Sequence, residues 1–405
     1  MIAQKVQQEF YPEKNQGDER MNTIYLDHAA STPVHPEVME TMLRVMKEHY
    51  GNASSVHAFG RAAKRLVNES REQVALLAGC RTDELVFTGG GTESDNLALF
   101  GAAKANQHRG RHIITTQVEH HAVLHTCRQL EKEGFELTYL PVDKYGIVHP
   151  EQVEEAIRPD TILVSVMYAN NEVGTIQPIR EIAEVTAARR ILFHVDAVQA
   201  FGKLPIDTSK LAVDLMSFSA HKINGPQGVG ALYIRQGTPL DPLFFGGLQE
   251  RKRRAGTENI AGMAGFAAAA SLASKQLPVL GEQDELMRLT LLQALQLHVG
   301  AENYHLNGHP EAGYRLPHIV NISFPACDTE TMLMNLDLEG IAAASGSACS
   351  SGTLEPSHVL AAMNLPQIFL RSAIRFSFGL GNTREELEKT AEKIGTILNR
   401  LRNRR

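Results

Sequence analysis

The run Thr88-Gly-Gly-Gly-Thr-Glu-Ser-Asp-Asn96 follows an apolar stretch and precedes a helical pattern. Glycines there would let the backbone approach an anion closely, and a helix N-terminus offers unpaired N–H groups with a favourable dipole. Thr92 could add a hydroxyl. The same residues would also make a plain turn, with Thr92 as N-cap and Asp95 completing a capping box. Further along, His194-Val-Asp196-Ala-Val-Gln199 ends an apolar run. A carboxylate at that position would face a cationic or hydrogen-bond-donating ligand, or it would cap the next turn. A third run, Ser217-Phe-Ser219-Ala-His221-Lys222, offers an amine that could form a Schiff base, and Ser219 and His221 suit phosphate oxygens. A lone lysine after a strand is otherwise simply solvated.

None of the three decides the chemistry by itself; their order does. An anion-binding glycine turn, then an aspartate at a strand end, then Ser-x-His-Lys supply partners for the phosphate, the pyridine nitrogen and the aldehyde of pyridoxal 5'-phosphate. A fourth run, Ala344-Ser-Gly-Ser-Ala-Cys349-Ser-Ser-Gly352, sets a cysteine among small residues that restrict the backbone little. A thiolate that attacks a bound sulfur and then hands it on needs such freedom and exposure. Cys80, Cys127 and Cys327 read as ordinary core cysteines.

The elements that must position these groups are legible as alternation. Apolar runs at 85–88, 112–115, 136–140, 162–167, 191–195, 215–219 and 229–234 are separated by helical patterns such as 93–107, 121–133 and 178–190. This predicts an α/β fold with a mainly parallel seven-stranded sheet, covered on both faces, with function at the strand ends. Past residue 270 a helix at 283–299, a strand at 319–324 and a closing helix from Thr383 suggest a smaller α+β domain. The expected division is 27–270 for the large domain and 271–405, with 1–26, for the small one.

Composition sets the class. The chain has 405 residues, 43% hydrophobic and 21% charged, with a net charge of -6. That gives no general reason to expect a nucleic-acid partner. The basic runs 251–254 and 402–405 read as solvated surface or subunit contact. The first twenty residues are polar and do not read as a signal or transit peptide, and the most apolar stretch, 260–273, is too short to cross a bilayer. Four scattered cysteines match neither a disulfide framework nor a metal-ligand spacing, so a reducing cytoplasm is expected, with no membrane association.

With these residues in hand, the sequence closely resembles the cysteine desulfurases of group I, the NifS/IscS-like enzymes among the class-V aminotransferases of fold-type I. The match runs from Tyr25-Leu-Asp-His-Ala-Ala-Ser-Thr-Pro33 through Gly51-Asn-Ala-Ser-Ser-Val-His57, Glu119-His120, Asn170-Asn-Glu-Val-Gly174, Arg254-Ala-Gly-Thr257 and Leu354-Glu-Pro-Ser357 to Ile374-Arg-Phe-Ser377. The resemblance implies that Lys222 forms the internal aldimine and shuttles protons, and that Asp196 pairs with the pyridine nitrogen. It puts Asn171 and Gln199 near the phenolic oxygen and His120 over the ring. Gly91, Thr92, Ser219 and His221 would hold the phosphate, with Thr257 reaching in from the other subunit of a homodimer. Arg375, helped by Asn171, would receive the carboxylate of L-cysteine.

The resemblance further implies that Cys349 attacks the substrate sulfur, leaving a persulfide and alanine, and passes the sulfur to an acceptor such as an iron-sulfur scaffold or a sulfur relay. No resident metal is implied, though an iron-sulfur cluster could rest transiently at Cys349. Other fold-type I activities, selenocysteine lyase or aminotransferase, compete with this expectation, as does a non-catalytic nucleotide-binding or sulfur-carrier protein. Ala53 replaces a proline common in the family, and the ending Leu398-Asn-Arg-Leu-Arg-Asn-Arg-Arg405 lacks the tail by which housekeeping members engage scaffold partners.

Overall fold

The computed structural model describes residues 23–346 and 356–402. Cys349 therefore lies outside the described residues. After a short strand β1 (Ile24–Tyr25), the chain builds a central sheet from β2 (Leu85–Thr88), β3 (His112–Thr116), β4 (Glu136–Leu140), β5 (Thr161–Ser165), β6 (Leu192–Asp196), β7 (Leu215–Ser219) and β8 (Gly230–Ile234). Their order across the sheet is β2-β8-β7-β6-β5-β3-β4. All neighbours are parallel except β8, which runs antiparallel to both β2 and β7. β2, β3, β5, β7 and β8 are buried along their whole length, so apolar residues fall at consecutive positions rather than strictly alternating with exposed polar ones. The expected mainly parallel seven-stranded sheet is what forms, with strand ends within about two residues of the expected ones.

Because β8 reverses, β2 runs in the same direction as β7 and β6. Thr88, Asp196 and Ser219, the last residues of these three strands, therefore arrive at the same edge of the sheet. That edge is where loops of an open α/β sheet gather around a ligand.

The helix expected at 283–299 is longer: it runs Ile260–His298, 39 residues, with Pro278 inside it. Its first half is Ala/Gly-rich and buried on most sides, so it shows none of the polar-apolar contrast by which a helix is read in sequence. Asn259 caps it, its side chain accepting from the Gly262 amide at 3.0 Å.

A second buried cluster gathers Ile24 and Leu26 with Leu291, Leu295, Val320, Ile322, Phe376, Ile394 and Leu398. Here β9 (His305–Asn307), β10 (Ile319–Ser323) and, after the two-residue β11 (Ile341–Ala342), β12 (Ala373–Ser377) contribute an antiparallel sheet of order β12-β10-β9. β1 pairs in parallel with β11, which sews the start of the described chain onto this cluster. No helix among the described residues is long and apolar enough to cross a membrane.

Candidate active site

A cavity of about 890 Å³ opens at the sheet edge. Gly91, Thr92, His120, Asn171, Asp196, Gln199, Ser219, His221, Lys222 and Arg375 all line it. Thr257 does not; it is exposed on the Arg254-to-Thr257 loop.

The glycine turn resolves one alternative raised by the sequence. The helix Gly91–Asn106 begins at Gly91 with Gly90 as N-cap, and no side chain caps it. Thr92 is thus inside the first turn rather than the cap, and Asp95 is buried beneath the cavity instead of closing a capping box. Gly90 has φ 149° and ψ -176°, a conformation essentially limited to glycine. A Cβ on the facing Gly230 would lie 2.7 Å from the Gly90 Cα, so both strand and turn need bare backbones here. The uncapped amides of this turn face the same cavity as Ser219, whose buried hydroxyl finds no hydrogen-bond partner among the described residues. His221 lies alongside, its Nδ1 3.3 Å from the Ser31 hydroxyl. An orphan hydroxyl beside a free helix N-terminus is a ready phosphate cradle.

Asp196 closes β6 and is 5% exposed. It does cap the following turn, accepting from the Val198 amide at 3.0 Å. Burial nonetheless pushes its carboxyl up to about 6, against the hydrogen bond from Val198 and the charge of Lys222. Asp95, buried nearby, is held well above the usual carboxylate range by burial and then by the charge of Asp196. A carboxylate in this setting is relieved by a cationic partner such as a protonated ring nitrogen. Behind it, His194 is enclosed between Ser165 (2.8 Å) and Ser217 (3.0 Å), and burial drives its imidazole down to about 3.

Lys222 sits on a short 3-10 turn, Ala220–Lys222, directly after β7. Its amine is half-buried rather than solvated and donates to the carbonyls of Ala29 (2.6 Å) and Ala30 (2.8 Å). Gln199 donates to the same Ala29 carbonyl at 2.9 Å.

His120 caps the helix His121–Lys132, its Nδ1 accepting from the Ala122 amide at 3.1 Å. That hydrogen bond leaves Nε2 as the protonated nitrogen of the neutral ring. Burial and then the charge of Lys222 bring the imidazole down to about 4, so the ring is neutral at ordinary pH. The preceding Glu119 is wholly buried; one oxygen accepts from the Thr116 hydroxyl (2.7 Å) and the Met167 amide (3.0 Å), and burial raises its carboxyl to about 8.

Arg375, in β12, is 1% exposed, so its ion pair is not a surface one. The guanidinium donates to Asp27 (2.8 Å) and to the Asn171 carbonyl (2.8 Å), while its Nε lacks a partner among the described residues. The cavity thus draws on three parts of the chain: the segment after β1, the central sheet and β12.

Several contributors carried no signal in the sequence. The Ala29 and Ala30 carbonyls that hold Lys222 are backbone groups. Asp27 lies in the run Tyr25-Leu-Asp-His, where nothing local marks it as the partner of Arg375. Glu93, on the glycine turn, pairs with Arg254 at 2.9 Å and accepts from the Gly89 amide at 2.8 Å, tying the turn to the loop that carries Thr257. Charge complementarity between the two motifs could have suggested that pair. Cys127 and Cys327 are buried and Cys80 is half-buried, and none of the three forms a disulfide among the described residues; burial pushes the Cys80 thiol up to about 12.

The donor set fits pyridoxal 5'-phosphate: an orphan hydroxyl and free amides for the phosphate, a buried acid for the ring nitrogen, and an amine for the aldehyde. Comparison with known proteins agrees. The aminotransferase class-V profile matches residues 24–390. A cysteine desulfurase IscS from Methanosarcina thermophila is 49% identical over 94% of this chain and 93% of its own length. A solved NifS-like protein shares 39% identity, a TM-score of 0.86, and coverage of 93% of this chain and 99% of its own. The protein SspA, solved in complex with cysteine, shares 35% identity and a TM-score of 0.76 over 88% of this chain and 99% of its own. By fold, motifs and relatives alike, this chain belongs to the class-V aminotransferase family, among its pyridoxal-phosphate-dependent cysteine desulfurases of the NifS/IscS-like group.

Proposed function

We propose that this chain removes sulfur from L-cysteine, holds it as a persulfide on Cys349 and passes it to a protein acceptor. In the first half-reaction the substrate's Cβ–S bond breaks and an S–S bond to Cys349 forms. The Cys349 thiol proton finishes on the substrate carbon, which leaves as L-alanine, so no external oxidant or reductant is required.

When bound, pyridoxal phosphate supplies the electron sink that lets the substrate's Cα–H and then its Cβ–S bond break. Lys222 would hold the cofactor's aldehyde, and its amine would serve as the base at the substrate Cα. Asp196, relieved of its burial penalty by a ring cation, keeps the ring nitrogen protonated. Ser219, His221, Thr92 and the Gly91 amide hold the phosphate, and Gln199 and Asn171 orient the ring's oxygen side. His120, neutral with its proton on Nε2, covers the ring and can donate that proton. Arg375 has one guanidinium nitrogen unpaired among the described residues and takes the substrate carboxylate beside Asn171.

The observation that carries the reading is that Asp196, Ser219 and Lys222 line one cavity together with Arg375, which comes from much further along the sequence. Incubating the protein with L-cysteine and analysing its peptides by mass spectrometry tests it: one sulfur atom is added to the peptide containing Cys349. Retained alanine release by Cys349→Ala, with no persulfide step needed, would overturn the assignment of that thiol. Selenocysteine, with its better leaving group, is a second substrate to assay in parallel.

The chain works as a homodimer in this reading, Thr257 reaching the partner's phosphate site. Met39, Leu43 and Met46 expose an apolar stripe along one helix, and Phe245 and Leu248 expose another on the way to the Thr257 loop. Exposed apolar area of that kind suits a subunit contact. The acceptor in this reading is an iron-sulfur scaffold or a sulfur relay, as the resemblance to the NifS/IscS-like enzymes implies. A reducing cytoplasm, where thiols stay free, is the setting that suits Cys349.

A further inference from the structure

The carboxylate of Glu172 lies where the two described ends of the Cys349 segment meet. Its Oε2 accepts a hydrogen bond from the Ser357 hydroxyl at 2.5 Å. On the other side, a Cβ built on Gly346 would lie 2.7 Å from the same Oε2, and Gly346 has φ +94°, so a bare glycine is required both by conformation and by contact with this carboxylate. Gly346 is the last described residue before the segment that contains Cys349, and Ser357 is the second described residue after it.

Glu172 itself cannot shift easily. It is 2% exposed. Its amide donates to the Asn170 side chain at 2.8 Å, and its carbonyl accepts from the Asn321 side chain at 3.1 Å. The residue before it, Asn171, accepts Arg375 through its carbonyl. Arg375 in turn exchanges both backbone hydrogen bonds with Ala344, at 3.1 and 2.7 Å, two residues ahead of Gly346. The N-side end is therefore fixed by strand pairing at Ala344 and packs closely on the Glu172 carboxylate at Gly346, while the C-side end is tied to the same carboxylate through Ser357.

Building on the reading above, we propose that Glu172 is a positioning residue for sulfur transfer: its buried carboxylate ties down Ser357 on one side of the segment bearing Cys349 and packs against Gly346 on the other. It acts on the delivery of the thiol, while cofactor and substrate carboxylate are held by other side chains.

The test uses the cofactor-loaded enzyme and three variants, Glu172→Ala, Glu172→Gln and Ser357→Ala. In Glu172→Ala the single-turnover rate of persulfide formation falls about 10- to 100-fold, the cost of a misplaced reacting group. The cofactor's visible absorbance stays as in the parent, and KM for cysteine stays within about twofold, since carboxylate binding is separate. Glu172→Gln, which can still accept from Ser357, recovers part of the rate. Adding Ser357→Ala to Glu172→Ala costs nothing more, because the two residues act as one tie. Amide hydrogen exchange in the peptides flanking 346 and 357 rises in Glu172→Ala even without cofactor. An unchanged persulfide rate in Glu172→Ala would overturn the proposal, and so would a rate loss matched by lost cofactor absorbance. If Glu172→Ala does not fold, the same criteria apply to Ser357→Ala. Failure of the parent enzyme to place sulfur on Cys349 would instead overturn the function proposed above, a separate outcome read from the parent alone.

Discussion

Arg375 and Asp27 face each other at 2.8 Å, with the guanidinium fully buried and the carboxylate partly exposed. The pair joins β12 to the segment that follows β1, two stretches separated by almost the whole chain. A buried arginine held on one side by an acid and on the other by the Asn171 carbonyl is already oriented before any substrate arrives.

That orientation makes Arg375→Lys a non-conservative change. Lysine offers a point charge on a flexible stem and cannot keep three directed contacts. KM for cysteine should rise by about tenfold or more, equivalent to losing roughly 1.5 kcal/mol of charge-assisted hydrogen bonding, while cofactor absorbance is kept. Steady-state kinetics beside an absorption spectrum checks both halves.

Ser219→Ala should separate cofactor binding from folding. The Ser219 hydroxyl is buried without a partner, so removing it breaks no hydrogen bond in the cofactor-free protein. Thermal stability of that form should hold or rise slightly. Affinity for pyridoxal phosphate should fall by about 1 kcal/mol, or roughly fivefold, for the lost contact to the phosphate. Melting curves of the free protein and a cofactor titration measure the two effects.

Asp196 predicts a pH signature. Its carboxyl is raised from 3.8 to about 6 by burial. Through that window the native protein keeps a proton that the unfolded chain has already released. The stability associated with this proton is whole at low pH and is lost as pH rises to about 6. Relative to Asp196→Asn, the cofactor-free parent should therefore weaken by on the order of 1 to 3 kcal/mol between about pH 4 and 6. Bound cofactor, by supplying a cation, should abolish the difference. Denaturant titrations at several pH values, with and without cofactor, decide it. In the loaded enzyme Asp196→Asn should also cut kcat by roughly 100-fold, the rate equivalent of about 3 kcal/mol lost with a buried ion pair.

Gly90→Ala should act through the backbone alone. Nothing lies within 4 Å of a Cβ at that position, yet its φ of +149° is one that alanine avoids. A stability loss of about 1 to 3 kcal/mol and weaker cofactor binding are expected, as the turn relaxes and its amides re-aim. Chemical denaturation and cofactor titration together check this.

How far the sequence carried can be read from particular elements. β5 and β7 were legible because strands buried on both faces carry apolar residues at consecutive positions, and Asp196 and Ser219 followed because each ends a strand of this kind. The reversal of β8 was not legible, since a buried strand looks alike in either direction. The long helix was half missed because its Ala-rich stretch has no polar face to mark it. Lys222 stood out by type, but its anchors are carbonyls, which any residue possesses. Glu172 and Ser357 meet across 185 residues, a contact that folding creates and local pattern cannot encode.

The helix Ile260–His298 has one more consequence. Met263, Phe266, Ala269 and Ala273 pack into the large buried cluster beneath the central sheet, whereas Leu291, Ala294 and Leu295 pack into the one formed by β10 and β12. A single rod is thus a shared beam for both, and neither cluster can come apart without exposing the half of the beam it covers. On heating, the chain should absorb heat in one cooperative peak rather than two, despite Pro278 near the middle of the beam, where one backbone donor is missing.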